Sequence, residues 1–290
     1  MRIGLSIADF TAPGGPACLG QQLSQVAVAA DQLGFDALSV MDHFFQIRMI
    51  GPPEREMLEG YTTLAFIAGQ TRRLTLGTMV TGVHYRHPGI LAKIVTTLDV
   101  LSGGRAWLGI GAGWNADESR GLGAPFPPLK ERFERLEETL QIVLQMWAGS
   151  EAPMRGQHYT LERPLNSPQS LSRPHPRIVI GGGGEQKTLR LVARYADACN
   201  LFATPEIPRK LDVLRAHCEA EGRDYASIEK TSMYIWNPGE DVDNVEPVIQ
   251  ALRWLASMGI QRVFIGISTP YALKPLEVLA ERVMPVVADL

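Results

Sequence analysis

Short apolar runs alternate with longer amphipathic stretches along almost the whole chain. The runs are four to eight residues long, which is typical of strands in a parallel sheet covered on both faces. Eight strands are predicted, at Arg2–Ala8, Ala37–Met41, Leu74–Val80, Arg105–Gly109, Arg177–Ile180, Ala198–Phe202, Ile228–Ile235 and Arg262–Ile265.

The intervening stretches have the end signals of helices. Gly34 is a C-terminal stop, and Pro88 stands at a favourable first-turn position. The eight predicted helices are Leu19–Leu33, Tyr61–Thr71, Pro88–Leu101, Leu129–Trp147, Glu185–Tyr195, Pro208–Glu221, Val245–Met258 and Pro275–Val287. This alternation predicts an α/β fold, a (β/α)8 TIM barrel in one domain over residues 1–290. An open doubly wound sheet is the alternative.

Two segments interrupt the alternation. Phe45–Gly60 follows the second strand, and the proline-rich Gly149–His175 contains Gly156–Leu161, which has the pattern of a hairpin. Loops of this size in a compact domain are usually lids or insertions. We therefore expect an insertion around residues 149–175 and expect both loops to shape the substrate pocket.

Composition narrows the class of protein. A hydrophobic content of 45% suits a large core, and a formal charge of −3 offers no electrostatic footprint for nucleic acid or an anionic membrane. No apolar run approaches the roughly 18 residues of a membrane span, and the amino terminus reads as a strand rather than a signal peptide. Cys18, Cys199 and Cys218 show no CxxC spacing. We expect a cytoplasmic protein with reduced thiols and neither a nucleic-acid nor a membrane partner.

Four consecutive glycines, Gly181, Gly182, Gly183 and Gly184, follow the fifth predicted strand and precede a predicted helix. Glycines let a ligand approach the backbone, and a helix start offers unpaired N–H groups and the positive end of a dipole. Late loops of such barrels often hold a phosphate. A phosphate site is therefore predicted, with a flexible turn as the alternative. Lys187 and Thr188 are within reach of an anion, with a solvated surface position as the alternative for Lys187. Glu185 suits a helix cap, but it would repel a phosphate unless its carboxylate points away.

Asp42, His43 and Phe44 directly follow the second strand. Catalytic groups of barrels lie at the carboxyl ends of the strands. His43 is therefore a candidate general base or hydrogen-bond donor to a reduced ring. The alternative is a capping aspartate beside a structural histidine.

His84 and His87 have an HxxH spacing but no nearby acid or cysteine in the sequence, so they form a poor metal site. Pro88 biases His87 towards an extended backbone, and His87 is interpreted as a helix cap. The first strand lacks an HxH motif and no GxSxG elbow occurs, so neither a metal-dependent nor a serine hydrolase is indicated.

A second glycine cluster, Gly109 to Gly113, follows the fourth strand. It does not match GxGxxG, because Trp114 stands where the last glycine would be, so a dinucleotide fold is weakly supported. Together with Val40–Phe44, Leu76–Val80 and Ile180–Glu185, the segment Leu108–Asn115 resembles the bacterial luciferase-like family. The likeness is greatest to the branch that uses the deazaflavin coenzyme F420.

This resemblance implies a homodimer of (β/α)8 barrels with an insertion. It implies that Asp42 and His43 lie beside the cofactor ring, backed by a non-proline cis peptide at Met79–Val80. It further assigns to the cofactor Thr78 at the end of the same strand, Gly113 and Asn115 near the ring, and Gly181 to Glu185 with Thr188 at the phosphate.

One position departs from the sugar-phosphate dehydrogenases of that branch, which have a glutamate where this chain has Trp114. The departure argues against a sugar phosphate and, with Phe44, suggests an apolar or aromatic substrate pocket. Glu118, one helical turn later, is a candidate replacement for the missing acid or else a cap or surface acid.

The resemblance leads to three hypotheses about function. The first is an F420-dependent oxidoreductase that transfers a hydride between the deazaflavin and a small organic substrate. The second is an FMN-dependent monooxygenase that a partner reductase supplies with reduced flavin. The third is a barrel that binds the cofactor without turnover, and no metal is expected in any of them.

Overall fold

The computed structural model describes residues 1–239 and 241–290. The strands in this part of the chain are β1 (Arg2–Ile7), β2 (Ala37–Val40), β3 (Thr75–Thr78), β4 (Thr81–Gly82), β5 (Trp107–Gly111), β6 (Met154–Arg155), β7 (Thr160–Leu161), β8 (Arg177–Gly181), β9 (Ala198–Phe202), β10 (Glu229–Trp236) and β11 (Arg262–Ile267).

Ten α-helices accompany these strands in the same described residues. They are α1 (Pro16–Leu33), α2 (Gly60–Gln70), α3 (Pro88–Ser102), α4 (Ala116–Gly121), α5 (Leu129–Trp147), α6 (Thr188–Tyr195), α7 (Ile207–Glu221), α8 (Glu246–Ser257), α9 (Lys274–Val278) and α10 (Met284–Val287). A π-helical turn, Leu279–Val283, joins the last two. None of the described helices is both long and apolar enough to cross a membrane.

Nine strands form one parallel sheet in the order β3-β2-β1-β11-β10-β9-β8-β5-β4. A parallel bridge between Leu76 and Ala106 joins β3 to the β5 side of the sheet, so the sheet closes. Since β4 continues β3 beyond Met79 and Val80, the nine strands occupy the eight strand positions of the barrel. The predicted (β/α)8 barrel is confirmed, and the open doubly wound alternative is wrong.

The barrel interior is filled by side chains that alternate with those facing the helices. One set of buried residues packs inside the barrel: Ala37, Met79, Trp107, Val179, Ala198 and Phe264. A Cβ on Gly77 would lie 2.3 Å from the Trp107 ring. Glycine at that position therefore lets the indole fill the barrel.

The predicted elements agree with the structure to within a few residues, with three differences of substance. Helix α6 begins at Thr188 rather than at Glu185, helix α4 was not predicted, and the last predicted helix is divided by the π-helical turn. A hairpin is present where one was predicted, because β6 and β7 pair antiparallel, but it begins at Met154 rather than at Gly156.

Candidate active site

The candidate residues collect at the mouth of the barrel, where the carboxyl ends of the parallel strands meet. His43 follows β2, the Met79–Val80 bond lies between β3 and β4, Trp114 follows β5, and the glycine run ends β8. The His43 and Trp114 rings are in edge contact, with their centroids 5.3 Å apart.

His43 is held by a buried acid. Its Nδ1 lies 2.7 Å from Oε2 of Glu118, whose side chain is completely buried while 12% of the His43 side chain is exposed. Glu118 lies on α4 and is buried, so the alternative that it is a surface acid is wrong. The mouth thus contains a histidine–carboxylate pair with the histidine on the open side.

Five donors converge on the Glu118 carboxylate. Oε1 accepts from the amides of Phe44 and Phe45, while Oε2 accepts from His43, from the Tyr85 hydroxyl at 3.0 Å and from the Asn115 amide at 2.9 Å. Burial alone would raise the pKa of Glu118, but the bonds from His43 and the Phe44 amide outweigh it and hold this pKa below its usual value. The carboxylate is therefore ionised at neutral pH.

Asn115 is committed to this same network. Its side chain caps α4 by accepting from the Glu118 amide at 3.3 Å and also donates to the Glu118 carboxylate. The resemblance assigned Asn115 to the cofactor ring. In the structure its side chain bonds to Glu118, which in turn holds His43.

Asp42 makes a buried ion pair with Arg86. The guanidinium donates to both carboxylate oxygens, at 2.5 and 2.9 Å, and also pairs with Glu59. Burial raises the pKa of Asp42 and Arg86 opposes that rise; burial alone would lower the pKa of Arg86, but Asp42 raises it above its ordinary value. Because its side chain is completely enclosed, Asp42 supports the loop that carries His43, and we assign it no direct cofactor contact.

Thr78 is likewise enclosed. Its hydroxyl lies 2.8 Å from that of Thr81 and 3.1 Å from the carbonyl oxygen of Gly109, and the residue has no exposed surface. Its side chain connects β3, β4 and β5 and is not accessible to a ligand. A contact between Thr78 and the cofactor stays a prediction for its backbone only.

The Met79–Val80 peptide bond is cis, as the resemblance implied. The Val80 side chain projects between two glycines, since a Cβ on Gly111 or Gly181 would lie 3.2 or 3.0 Å from its methyl groups. Val80 is half-buried, at the edge of the inner core. It thereby connects the β5 side of the mouth to the start of the glycine run.

Gly113 serves a close approach within the protein. Its φ is +74°, and a Cβ there would lie 2.3 Å from the His84 ring. Arg132 donates to the carbonyl oxygen of Gly113 and, at 3.3 Å, to that of Ala112. These contacts fix the backbone that leads to Trp114.

The glycine run leads into α6 through a turn of three residues. Glu185 was expected to cap the helix, but α6 begins later and the Glu185 carboxylate instead accepts from Arg209 at 2.9 Å. The turn is also held at its carbonyl oxygens, because His217 lies 2.8 Å from that of Glu185 and Lys210 lies 3.1 Å from that of Gly183. The repulsion that Glu185 would exert on an anion is thus offset by Arg209.

The glycine run has the chemistry of an anion site. None of the backbone amides from Gly183 to Lys187 donates to an acceptor among the residues that the structure describes. The Thr188 hydroxyl likewise has no partner there, although it is not fully enclosed. A Cβ on Gly184 would lie 2.8 Å from that hydroxyl. Free amides, a free hydroxyl and glycines that keep the approach open fit a phosphate.

A shallow depression of about 470 Å³ lies against this turn. It is lined by Phe133, Gly183, Gly184, Glu185, Gln186, Lys187 and Lys210. The two lysines add positive charge beside the free amides, which favours an anionic group.

Neither histidine of the HxxH motif is arranged for metal binding. His84 contacts Ser119 at 2.9 Å through Nε2, and burial, with Arg132 nearby, lowers its pKa to about 4. His87 is the N-cap of α3 and accepts from the Gly89 amide at 3.3 Å, so its predicted capping role is confirmed. Within residues 1–239 and 241–290, no group of three or more histidines, cysteines or acids could hold a metal ion.

Large apolar side chains are exposed around the mouth. Trp114 is 60% exposed, Phe202 at the end of β9 is 71% exposed, and Ile235 near the end of β10 is 67% exposed. By strand alternation, Phe202 and Ile235 share the inward face with Ala198 and Met233. Phe44 is half-buried and packs edge-on against Tyr85, 5.2 Å between centroids.

The sequence reasoning missed Arg86 and Tyr85. Both lie between the two histidines of the HxxH motif. Their positions in the sequence were the available signal: Asp42 follows β2 and Arg86 follows the neighbouring β3–β4, so opposite charges meet at one edge of the sheet.

A parallel barrel with a histidine–carboxylate pair at its mouth and a turn of free amides after a late strand has the arrangement of a barrel enzyme with its active site at the carboxyl ends of the strands. The family model described as luciferase-like monooxygenase matches residues 1–278. The chain belongs to that family.

Curated relatives of the chain share one description. An F420-dependent glucose-6-phosphate dehydrogenase of Nakamurella multipartita is 34% identical over 177 residues, which are 61% of this chain and 50% of that protein. One of Kineococcus radiotolerans is 30% identical over 225 residues, 72% of this chain and 62% of that protein. The matches thus span about half to three-fifths of the length of these relatives.

A solved structure has the same fold over its full length. An F420-dependent secondary alcohol dehydrogenase, in complex with an F420–acetone adduct, superimposes with a TM-score of 0.82. The alignment covers 99% of this chain and 98% of that chain at 17% identity. At this identity the likeness establishes the barrel fold alone.

Proposed function

We propose that the protein is an oxidoreductase that transfers a hydride between coenzyme F420 and a small organic substrate. The observation that carries the proposal is one row of residues at the mouth: the His43–Trp114 contact, then Val80 against Gly111 and Gly181, then the turn of free amides. We propose that this row lines a cofactor trough. Its two ends offer a general base and a phosphate site. The relatives at 30–34% identity, named for the same coenzyme, support F420 over FMN.

The residues along the trough suit such a coenzyme. The turn from Gly181 to Thr188 would hold the phosphate through its free amides and hydroxyl. Val80, between Gly111 and Gly181, would form the surface under the ring. A bound deazaflavin supplies two-electron hydride chemistry.

His43 is the proton-transferring group of this proposal. Its Nε2 has no hydrogen-bond partner among the described residues, yet it is not fully enclosed, so it is open to the mouth. With a coenzyme bound to supply the hydride chemistry, Nε2 would take the hydroxyl proton of a substrate alcohol as the alcohol is oxidised. The product would be a carbonyl compound, and in the reverse direction His43 would return the proton to the carbonyl oxygen.

The mouth favours an uncharged, apolar substrate. Trp114, Phe202 and Ile235 present apolar surface, and the nearby cations Arg86 and Arg132 are bound to protein acceptors. A sugar phosphate would leave its charge unpaired beside these groups, a costly arrangement. Trp114 and Phe44 remain the proposed substrate contacts.

We also propose a homodimer through α2 and α3. Ile90, Ile94 and Leu101 recur at helical spacing on α3, with Ile90 60% and Leu101 69% exposed, and Phe66 on the neighbouring α2 is 41% exposed. Exposed apolar side chains grouped on two neighbouring helices are typical of a subunit interface. Action in the cytoplasm, with a partner F420 reductase or flavin reductase, completes the proposal.

The proposed function is tested by titrating the purified protein with F420 and, separately, with FMN, followed by absorbance and calorimetry. We expect tight binding of F420 and reduction of the bound coenzyme by apolar alcohols. The reduction should be lost in His43→Ala. Tight binding of FMN alone, with oxygen consumption on addition of reduced FMN, would identify a monooxygenase instead. Binding of F420 that is unchanged in His43→Ala, without turnover of any substrate, would indicate a binding protein.

A further inference from the structure

We infer that Glu118 is a positioning residue that fixes which nitrogen of His43 carries the proton. The inference rests on the proposed function, in which His43 Nε2 is the proton acceptor. It deepens that function by naming the group that keeps Nε2 unprotonated in the neutral imidazole.

The geometry allows one proton arrangement at this pair. Four donors other than His43 converge on the Glu118 oxygens and stabilise the carboxylate form, and Oε2 lies 2.7 Å from His43 Nδ1. A carboxylate only accepts hydrogen bonds, so Nδ1 must carry the proton. In a neutral imidazole this leaves Nε2, on the open side, as the acceptor. The same logic orients the histidine of other histidine–carboxylate pairs.

The orientation of the carboxylate is itself fixed. Oε1 is held by the backbone amide of Phe44, with that of Phe45 at 3.3 Å. Backbone amides cannot become acceptors. The oxygen that faces them must therefore remain an oxygen in any isosteric replacement of Glu118.

Glu118→Gln should consequently invert the His43 tautomer. The glutamine oxygen is required at the Phe44 amide, so its NH2 group takes the place of Oε2. An NH2 donor at that place needs an unprotonated Nδ1, which moves the neutral imidazole to the Nε2–H form. The Tyr85 hydroxyl can rotate to accept from the same NH2 group. The Asn115 amide, which donates to Oε2 at 2.9 Å, loses that acceptor but keeps its cap on the Glu118 amide. The shape of the site is kept while its proton-accepting nitrogen is lost.

Tyr85→Phe is the matched control. It removes one donor to Oε2, at 3.0 Å, but leaves the carboxylate and the two backbone amides in place. A residue that mattered only for packing would give similar results in both variants. The tautomer should follow the carboxylate and stay unchanged in Tyr85→Phe.

The test is ¹⁵N spectroscopy of protein labelled at its six histidines, with His43 assigned from the spectrum of His43→Gln. Spectra are recorded without coenzyme at about pH 9, where imidazoles as a class are neutral. The wild type and Tyr85→Phe should show the unprotonated nitrogen at Nε2, and Glu118→Gln should show it at Nδ1. F420 affinity, measured separately, should change less than about threefold in Glu118→Gln, whereas coenzyme reduction should fall about 100-fold or more.

An Nε2–H tautomer in the wild type would overturn the inference without any variant, which covers the case that Glu118→Gln does not fold. An Nε2 acceptor that persists in Glu118→Gln, or an inversion in Tyr85→Phe, would also overturn it. The tautomer is measured on the free protein, so failure to bind F420 overturns the proposed function alone. The two failures are thus distinguishable.

Discussion

The Arg86 guanidinium donates two hydrogen bonds, of 2.5 and 2.9 Å, to the Asp42 carboxylate, one residue before His43. Arg86 also lies over the Tyr61 ring at 4.8 Å. The ends of β2 and β4 are thereby joined by a pair of buried charges. The stability of the mouth depends on both partners being present.

Replacing Arg86 with methionine should lower the free energy of unfolding by about 3–5 kcal/mol, because it leaves a buried carboxylate without its counter-ion. Denaturant titration measures the loss. Arg120→Ala is the control, since the exposed Arg120–Asp117 pair should contribute less than about 1 kcal/mol. Equal effects of the two substitutions would contradict a stabilising role for the Asp42 pair.

Gly184→Val should weaken F420 binding at least about tenfold while the barrel stays folded, because even a Cβ would lie 2.8 Å from the Thr188 hydroxyl. Calorimetric titration with the coenzyme measures this effect. Gly69→Ala is the matched control, since Gly69 lies within α2 and a Cβ there meets nothing within 4 Å. That control should leave binding unchanged and add about 0.5–1 kcal/mol of stability. Undiminished F420 affinity in Gly184→Val would show that this turn does not bind the phosphate.

Much of the fold could be predicted from the sequence because the period of apolar residues decides strand or helix locally. Ala198–Phe202 and Leu129–Trp147 were predicted with their observed bounds. Helix α4 escaped because its six residues, Ala116–Gly121, carry no apolar stripe and are fixed by the Asn115 cap and the buried Glu118. Its existence depends on tertiary contacts that local periodicity does not contain.

The candidate site was predictable only in part, for a related reason. Residues at strand ends, such as His43, are brought to one edge by the topology, so their proximity follows from the fold. Burial of Asp42 and Thr78, and the pairing of Glu118 with His43, depend on which side chains meet across the mouth. A single sequence gives the residue types but not these pairings.

The apolar surface on α2 and α3 should mediate dimer formation. Ile90→Glu combined with Leu101→Glu should shift the mass measured by light scattering from twice 31.9 kDa to 31.9 kDa, because two carboxylates would be desolvated in the interface. Trp254→Glu, on α8 and 41% exposed in the wild type, is the control and should remain dimeric. A wild type that is monomeric at micromolar concentration would exclude the proposed dimer.

Acid should destabilise the protein through His84. Burial and the nearby Arg132 lower the pKa of this histidine to about 4 in the folded protein, whereas an unfolded histidine has a pKa of about 6.5. The unfolded chain therefore binds the extra proton first, and wild-type stability falls as the pH drops through about 6.5 towards 4, by about 3 kcal/mol at most. His84→Gln removes this titration and can still bond to Ser119. Urea unfolding at several pH values should show the variant gaining on the wild type as the pH falls across this window, and a constant difference above it. All other titrating groups are common to both proteins, so parallel curves from pH 7 to 4 would mean that His84 titrates alike in the folded and unfolded chains.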